Sequence, residues 1–238
     1  HQAGEENELQ AAVVVIENQS GEIVALSGSR SFFASADGQV NGAWRPRSAG
    51  STLKPFTYAL ALQRDTTAAT ILADTPIEYV TSTGTYQPVN FSRRFMGPVS
   101  VRHALANSLN VPAVKLLDEI GGPTRLHDCL VKDLRFTSLD PAATEYGLGL
   151  TLGNAEVRLL ELTNGYATLA RLGEWKPVRF LRGLDPVASP TEQGQADADT
   201  RRVFDADAAW LIGDILSDER ARALAFGLNS PLNLPFRV

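Results

Sequence analysis

The chain has 238 residues, which fits one domain, with 44% apolar and 21% charged residues, a globular balance and not a disordered one. A net charge of −5 argues against broad nucleic-acid binding, and one cysteine, Cys129, excludes an internal disulfide or a multi-thiolate zinc site. Three histidines (His1, His103, His127) argue against a His-rich metal site, and the longest clean apolar run, Ala11–Ile16, is far short of the ~20 residues of a membrane span.

Residues 1–10 are polar and acidic and lack the charged and apolar regions of a signal peptide, so they are read as a tail. Ala11–Glu17 is a β-branched run, followed by turn residues and then Ile23–Leu26, which predicts a hairpin. Residues 27–47 are rich in Gly, Ser and Asn and are read as loop. Leu53, Phe56, Thr57, Leu60 and Leu62 form an apolar stripe at near-helical spacing. Proline is tolerated only in the first turn of a helix, so this helix begins just before Pro55, with Ser51 at its N-terminus.

Short β-like pieces follow over Asp74–Gln87. A helix over Val101–Ser108 leads to a break at Asn110-Val111-Pro112. Further helices are predicted over Pro112–Ile120, ending at Gly121-Gly122, and over Pro123–Val131. Asn154–Leu172 is the longest amphipathic stretch and stops at Gly173. Residues 185–200 read as a surface loop, and Asp205–Leu216 and Asp218–Phe226 as the final helices.

Two short patterns carry chemistry. In Ser51-Thr52-Leu53-Lys54 the i, i+3 spacing puts both side chains on one helix face, where the lysine can hydrogen-bond the serine hydroxyl. Partial desolvation would lower the lysine pKa and free an amine to take the serine proton. The helix N-terminus favours a developing anion. Fifteen serines and four lysines give such a pattern by chance in about one chain in four, and a capping serine beside a solvated lysine is the plain alternative. Eighteen arginines against four lysines add weight, since an arginine cannot serve as a base. In Ser108-Leu109-Asn110, at a corner between two helices, the hydroxyl can relay a proton and the amide can bind a substrate amide; capping is again the alternative. The glycines of Tyr146–Leu150 and Leu152-Gly153 fit no phosphate-binding loop and read as a turn with close backbone packing.

Together these segments resemble the transpeptidase domain of class A penicillin-binding proteins, most closely type 1C. The resemblance runs through Arg47–Phe56, Asp74-Thr75-Pro76, Tyr86–Phe91, Gly97–Arg102, Ala104–Ala113, Tyr146-Gly147-Leu148 and Leu162–Thr168, across nearly all of residues 11–232. It implies an α/β (α+β) fold with an antiparallel sheet flanked by helices and the active site between sheet and helices. Ser51 is implied as the nucleophile acylated by a D-Ala-D-Ala stem peptide or a β-lactam, with Lys54 as its base. Ser108 and Asn110 are implied as the second motif, and the Ser51 N–H as one oxyanion donor. The resemblance implies no cofactor and no metal. It places the parent protein at the outer, periplasmic face of a bacterial cytoplasmic membrane, anchored upstream and joined to a glycosyltransferase domain.

One family feature is missing. None of Lys54, Lys115, Lys132 or Lys176 is followed by Thr-Gly or Ser-Gly. The resemblance therefore implies a transpeptidase domain over 11–238 that is incomplete at its C-terminus, lacks strands of its sheet, and has weak activity or none. A serine β-lactamase and a non-catalytic binding module of the same fold are the other readings. Leu109 stands where class A β-lactamases resemble Ser-Asp-Asn. His103, His127 and Cys129 are read as structural, Tyr166 as core, and Trp44, Arg45, Glu145 and Tyr146 as candidates for the cleft wall.

Overall fold

The computed structural model describes residues 9–33, 36–81, 84–139, 142–180 and 199–231. The expected hairpin is present: β1 (Val13–Ile16) pairs antiparallel with β2 (Ile23–Ser27), Val14 facing Leu26. The loop expected over 27–47 includes a 3-10 turn, Ala36–Gln39, and ends in a short strand, β3 (Arg47–Ser48). Of the predicted acidic tail, residues 1–8 lie outside the described residues.

A 3-10 turn, Gly50–Leu53, runs directly into α1 (Lys54–Leu62), with Pro55 in its first turn as expected. Every residue from Lys54 to Ala61 is buried, because the segment is apolar on all sides and lies inside the helical body. Next come β4 (Ile71–Asp74), β5 (Tyr79–Thr81), β6 (Gly84–Tyr86) and β7 (Gly97–Ser100), with β4 paired to β7 and β5 to β6. The Ser100 side chain accepts from His103 N and caps α2 (Val101–Ala106). The next helix, α3 (Asn110–Glu119), begins at Asn110 and not at Pro112, so the predicted break at Asn110 is corrected. Proline is compatible with the third position of a helix, where its missing N–H has no partner in any case.

The following helix, α4 (Gly122–Asp128), is shorter than predicted and passes into a π-turn over Cys129–Asp133. After 3-10 turns at Ala143–Glu145 and Gly147–Leu152, the strand β8 (Glu156–Val157) pairs with β3. That pairing delays α5 (Leu159–Ala170) to five residues beyond its predicted start. Then β9 (Glu174–Trp175) pairs with β10 (Arg201–Arg202), and α6 (Ala206–Ser217) and the short α7 (Ala223–Phe226) close the described chain. Residues 185–198 of the predicted surface loop lie outside the described residues.

The five ladders among the described residues are antiparallel, as expected, and an isolated parallel bridge joins Glu22 to Arg179, but the strands form separate two-stranded ladders and not one broad sheet. The helices supply the core. Helix α1 packs on α3 and α6, and α5 packs on α6 and β1. Phe56 of α1 is the aromatic centre: its ring meets Phe136 edge-on at 6.2 Å, Tyr166 edge-on at 5.6 Å and Phe204 stacked at 6.4 Å. Cys129 is fully buried, as expected, and burial raises its thiol pKa well above the usual range.

The glycine-rich turn packs as the sequence suggested. Gly153 has φ +78°, and a Cβ there would lie 2.1 Å from both Gly50 N and Gly50 O. The backbone preceding Ser51 thus rests on a backbone with no side chain, and Ser48 Oγ donates to Gly153 O at 2.8 Å. Replacing Gly153 with alanine adds both a left-handed strain and a backbone overlap. Gly153→Ala should lower the free energy of unfolding by about 1–3 kcal/mol in chemical denaturation; unchanged stability would contradict this packing.

Candidate active site

The sequence places Lys54 in the first turn of a buried helix, and the structure shows what surrounds its charge. Lys54 is 1% exposed. Its Nζ donates to Ser108 O at 2.5 Å, Ser108 Oγ at 3.1 Å and Asn110 Oδ1 at 2.7 Å. Three acceptors match the three donors of an ammonium group, so the buried head is fully paired. Burial still penalises the charged form and lowers the Lys54 pKa to about 7.

Ser51 is arranged differently from the expectation. It lies in the 3-10 turn and is exposed, and among the described residues its side chain has no hydrogen-bond partner. The expected Ser51–Lys54 hydrogen bond is therefore absent. The physical reason is that the ammonium, once buried, is drawn to the Ser108 and Asn110 acceptors, which saturate it. Ser51 and Lys54 stay joined through the backbone, with Lys54 N–H donating to Ser51 O. The structure thus brings together Lys54, Ser108 and Asn110, from segments more than fifty residues apart, and presents Ser51 one turn away at the surface.

Several contacts brace the serine turn. Tyr166 packs in the core, as expected, and also donates its hydroxyl to Thr52 O at 3.0 Å. Buried Thr57 and Thr151 share a 2.8 Å hydrogen bond that ties α1 to the Gly147–Leu152 turn. A cavity of about 710 Å³ opens beside the turn, with Arg45, Arg47, Ser48 and Thr52 in its wall. Arg45 is thus a wall residue, whereas Trp44 lies under the Arg158 guanidinium, 4.9 Å from its ring centre. Tyr146 stacks on buried His127, at 6.1 Å between ring centres.

The corner that carries Ser108 and Asn110 is held from two sides. Ser108 adopts φ +53°, an unusual conformation for a residue with a side chain. Buried Asn107 donates to His103 O at 2.9 Å and Ala221 O at 2.7 Å, and accepts from Ala225 N at 3.0 Å. On the other side Asn90 Oδ1 accepts from Asn110 N at 2.8 Å and Val111 N at 3.2 Å. The position before α3 is Leu109, which has no side-chain cap to offer, so Asn90 caps the helix from twenty residues upstream. Nothing in the sequence marks Asn90, Asn107 or Thr151 as part of the site, and Thr57 reads there only as part of its helix's stripe. The partners that matter to the site lie far off in the chain, and no local spacing marks them.

Among the described residues no group of three or more His, Cys, Asp or Glu side chains could hold a metal ion, and no helix is long and apolar enough to cross a membrane. The arrangement suits acyl transfer: a surface hydroxyl, a buried amine of low pKa one turn on, and a second hydroxyl and a carboxamide bound to that amine.

Comparison with known proteins gives the family. The model of the penicillin-binding protein transpeptidase domain matches residues 11–227. Penicillin-binding protein 1C of Escherichia coli is 36% identical over 174 residues, and penicillin-binding protein 1A of Aquifex aeolicus is 36% identical over 182. These alignments take in 73% and 75% of this chain but only 20% and 24% of those proteins, so the chain spans about a quarter or less of their length. Among solved structures, penicillin-binding protein 1A of Haemophilus influenzae superposes with a TM-score of 0.69 at 23% identity, covering 87% of this chain and 35% of that one. The PonA1 protein of Mycobacterium tuberculosis in complex with penicillin V superposes with a TM-score of 0.67 at 19% identity, covering 87% of this chain and 56% of that one. By its family match, its relatives and its fold, the chain belongs to the penicillin-binding protein transpeptidase family, as a transpeptidase domain of the class A type.

Proposed function

We propose that this chain, as residues 11–238 of a larger penicillin-binding protein, carries the acyl-transfer chemistry of peptidoglycan cross-linking and that Ser51 is its nucleophile. The observation that carries the proposal is the convergence on Lys54 Nζ of Ser108 and Asn110, at 2.5–3.1 Å, within a buried pocket one turn from an unengaged serine hydroxyl.

In this reading the free amine of Lys54 takes the Ser51 proton as Oγ attacks the carbonyl of the D-Ala-D-Ala bond. The Ser51–acyl bond forms, the peptide C–N bond breaks, and the proton passes through Ser108 Oγ to the departing D-Ala nitrogen. The amine of a second stem peptide then attacks the ester, which makes the cross-link and frees Ser51. A β-lactam follows the first step only, because its amide nitrogen stays tethered to the acyl group. Asn110 Oδ1 is taken by Lys54, and one Nδ2 hydrogen is taken by Val89 O at 2.8 Å, so the other Nδ2 hydrogen remains for the substrate carbonyl. The Ser51 N–H supplies one oxyanion donor. The parent would act at the outer face of the bacterial cytoplasmic membrane on peptidoglycan stem peptides.

The reading favours a transpeptidase over a β-lactamase, because half-buried Leu109 stands where class A β-lactamases carry the Asp of Ser-Asp-Asn.

Two outcomes test the proposal. Prolonged incubation with a fluorescent penicillin should give a stable covalent label, mapped to Ser51 by peptide mass spectrometry and lost in Ser51→Ala. Label elsewhere, or none at any dose, would refute Ser51 as nucleophile. The rate of labelling should rise as pH passes upward through about 7, because only the deprotonated Lys54 amine can accept the serine proton. Lys54→Arg, which keeps the charge and cannot deprotonate, should lower that rate by about 10² or more at pH 8. A flat profile between pH 6 and 8, or an active Lys54→Arg, would remove Lys54 from the role of base.

A further inference from the structure

Asp74 ends β4 fully buried, and Asn90 is 2% exposed. Asn90 Nδ2 donates to both Asp74 oxygens, at 2.8 and 2.9 Å, and to Arg94 O at 2.9 Å. Asp74 Oδ2 also accepts from Met96 N at 2.8 Å. A buried carboxylate paired only with uncharged donors is costly, and it fixes the amide it binds. With Nδ2 committed to Asp74, the Asn90 amide has one orientation, and its Oδ1 must face the first two N–H groups of α3. Those N–H groups belong to Asn110 and Val111, and Asn110 Oδ1 holds Lys54 Nζ at 2.7 Å. A single run of hydrogen bonds therefore links Asp74, Asn90, Asn110 and Lys54.

We infer that Asn90, oriented by Asp74, is a positioning residue for acyl transfer: it sets where α3 begins and so places the Asn110 amide on the Lys54 amine. It touches no reacting atom. This rests on the proposed role of Lys54 as base. A carboxamide is required, because the site needs a donor toward Asp74 and an acceptor toward the helix in one group. Asn90→Ala leaves Asp74 with the Met96 N–H alone and leaves the Asn110 and Val111 amides without their cap. Asn90→Asp sets a second carboxylate against the first. The exchange Asp74→Asn with Asn90→Asp restores one donor–acceptor bond and both caps, at the cost of the second contact between the two side chains and of an acceptor set against Arg94 O.

The test measures fluorescent-penicillin acylation from pH 6 to 9, amide hydrogen exchange of Asn110 and Val111, and thermal unfolding, on the full chain and these variants. Asn90→Ala should acylate at least about ten-fold more slowly, the loss falling on the acylation rate constant and not on initial affinity. Its pH midpoint should move upward as water reaches Lys54, and the Asn110 and Val111 amides should exchange faster. The exchanged pair should recover part of the rate that Asn90→Asp loses. Acylation within two-fold of the parent chain would overturn the inference. So would a loss that only follows thermal stability, with the pH midpoint unmoved and no rescue by exchange. If the parent chain takes no label, the proposed function falls by itself, and amide exchange then decides: protection of Asn110 and Val111 retained in Asn90→Ala overturns the positioning role, and protection lost upholds it.

Discussion

A lysine head group sealed inside a protein is the constraint on which this structure turns. Lys54 stands at the start of a helix that is buried on every side, so its charge cannot reach bulk water. The chain answers with Ser108 and Asn110, which supply as many hydrogen bonds as an ammonium has donors. Every donor of the charged form therefore has a protein partner in place of water. The burial that costs stability also lowers the Lys54 pKa to about 7, which suits the base role proposed for it.

Much of the architecture follows from serving this one group. The helix that carries Lys54 must be held without a polar face, and the Phe56 cluster with Phe136, Tyr166 and Phe204 does so by packing. The serine turn must sit at the surface beside a buried helix, which requires the tight contact of Gly50 with Gly153 and the Tyr166 hydroxyl on Thr52 O. The acceptors must arrive at a fixed point from another part of the chain, which requires a corner with Ser108 at positive φ, clamped by Asn107 and Asn90. Removing any of these clamps would leave the motif residues in place along the sequence but not in space.

The sequence was legible where cause and effect are close in the chain. Pro55 located the start of α1 because proline tolerates only a first turn, and the β-branched run of residues 11–17 announced its hairpin. The glycines around 147–153 correctly signalled backbone packing. Legibility ended where the cause lay far away. The start of α3 at Asn110 depends on a cap from Asn90, which no local pattern around Pro112 can reveal. The late start of α5 depends on β8 pairing with Arg47-Ser48, a hundred residues upstream. The four candidate residues were readable as motifs, and three of them do meet. The fourth contact, between Ser51 and Lys54, was drawn from helical spacing alone and gave way to the stronger need of a buried ammonium for acceptors.

The base role proposed for Lys54 depends on burial lowering its pKa, and direct titration of its ε-amine measures that. The chain has only four lysines, so a nuclear magnetic resonance titration of isotope-labelled lysine side chains is readily assigned, with Lys54→Arg identifying the signal. The signal lost in Lys54→Arg should titrate at about 7. A midpoint for that signal in the ordinary lysine range, near ~10.4, would contradict it.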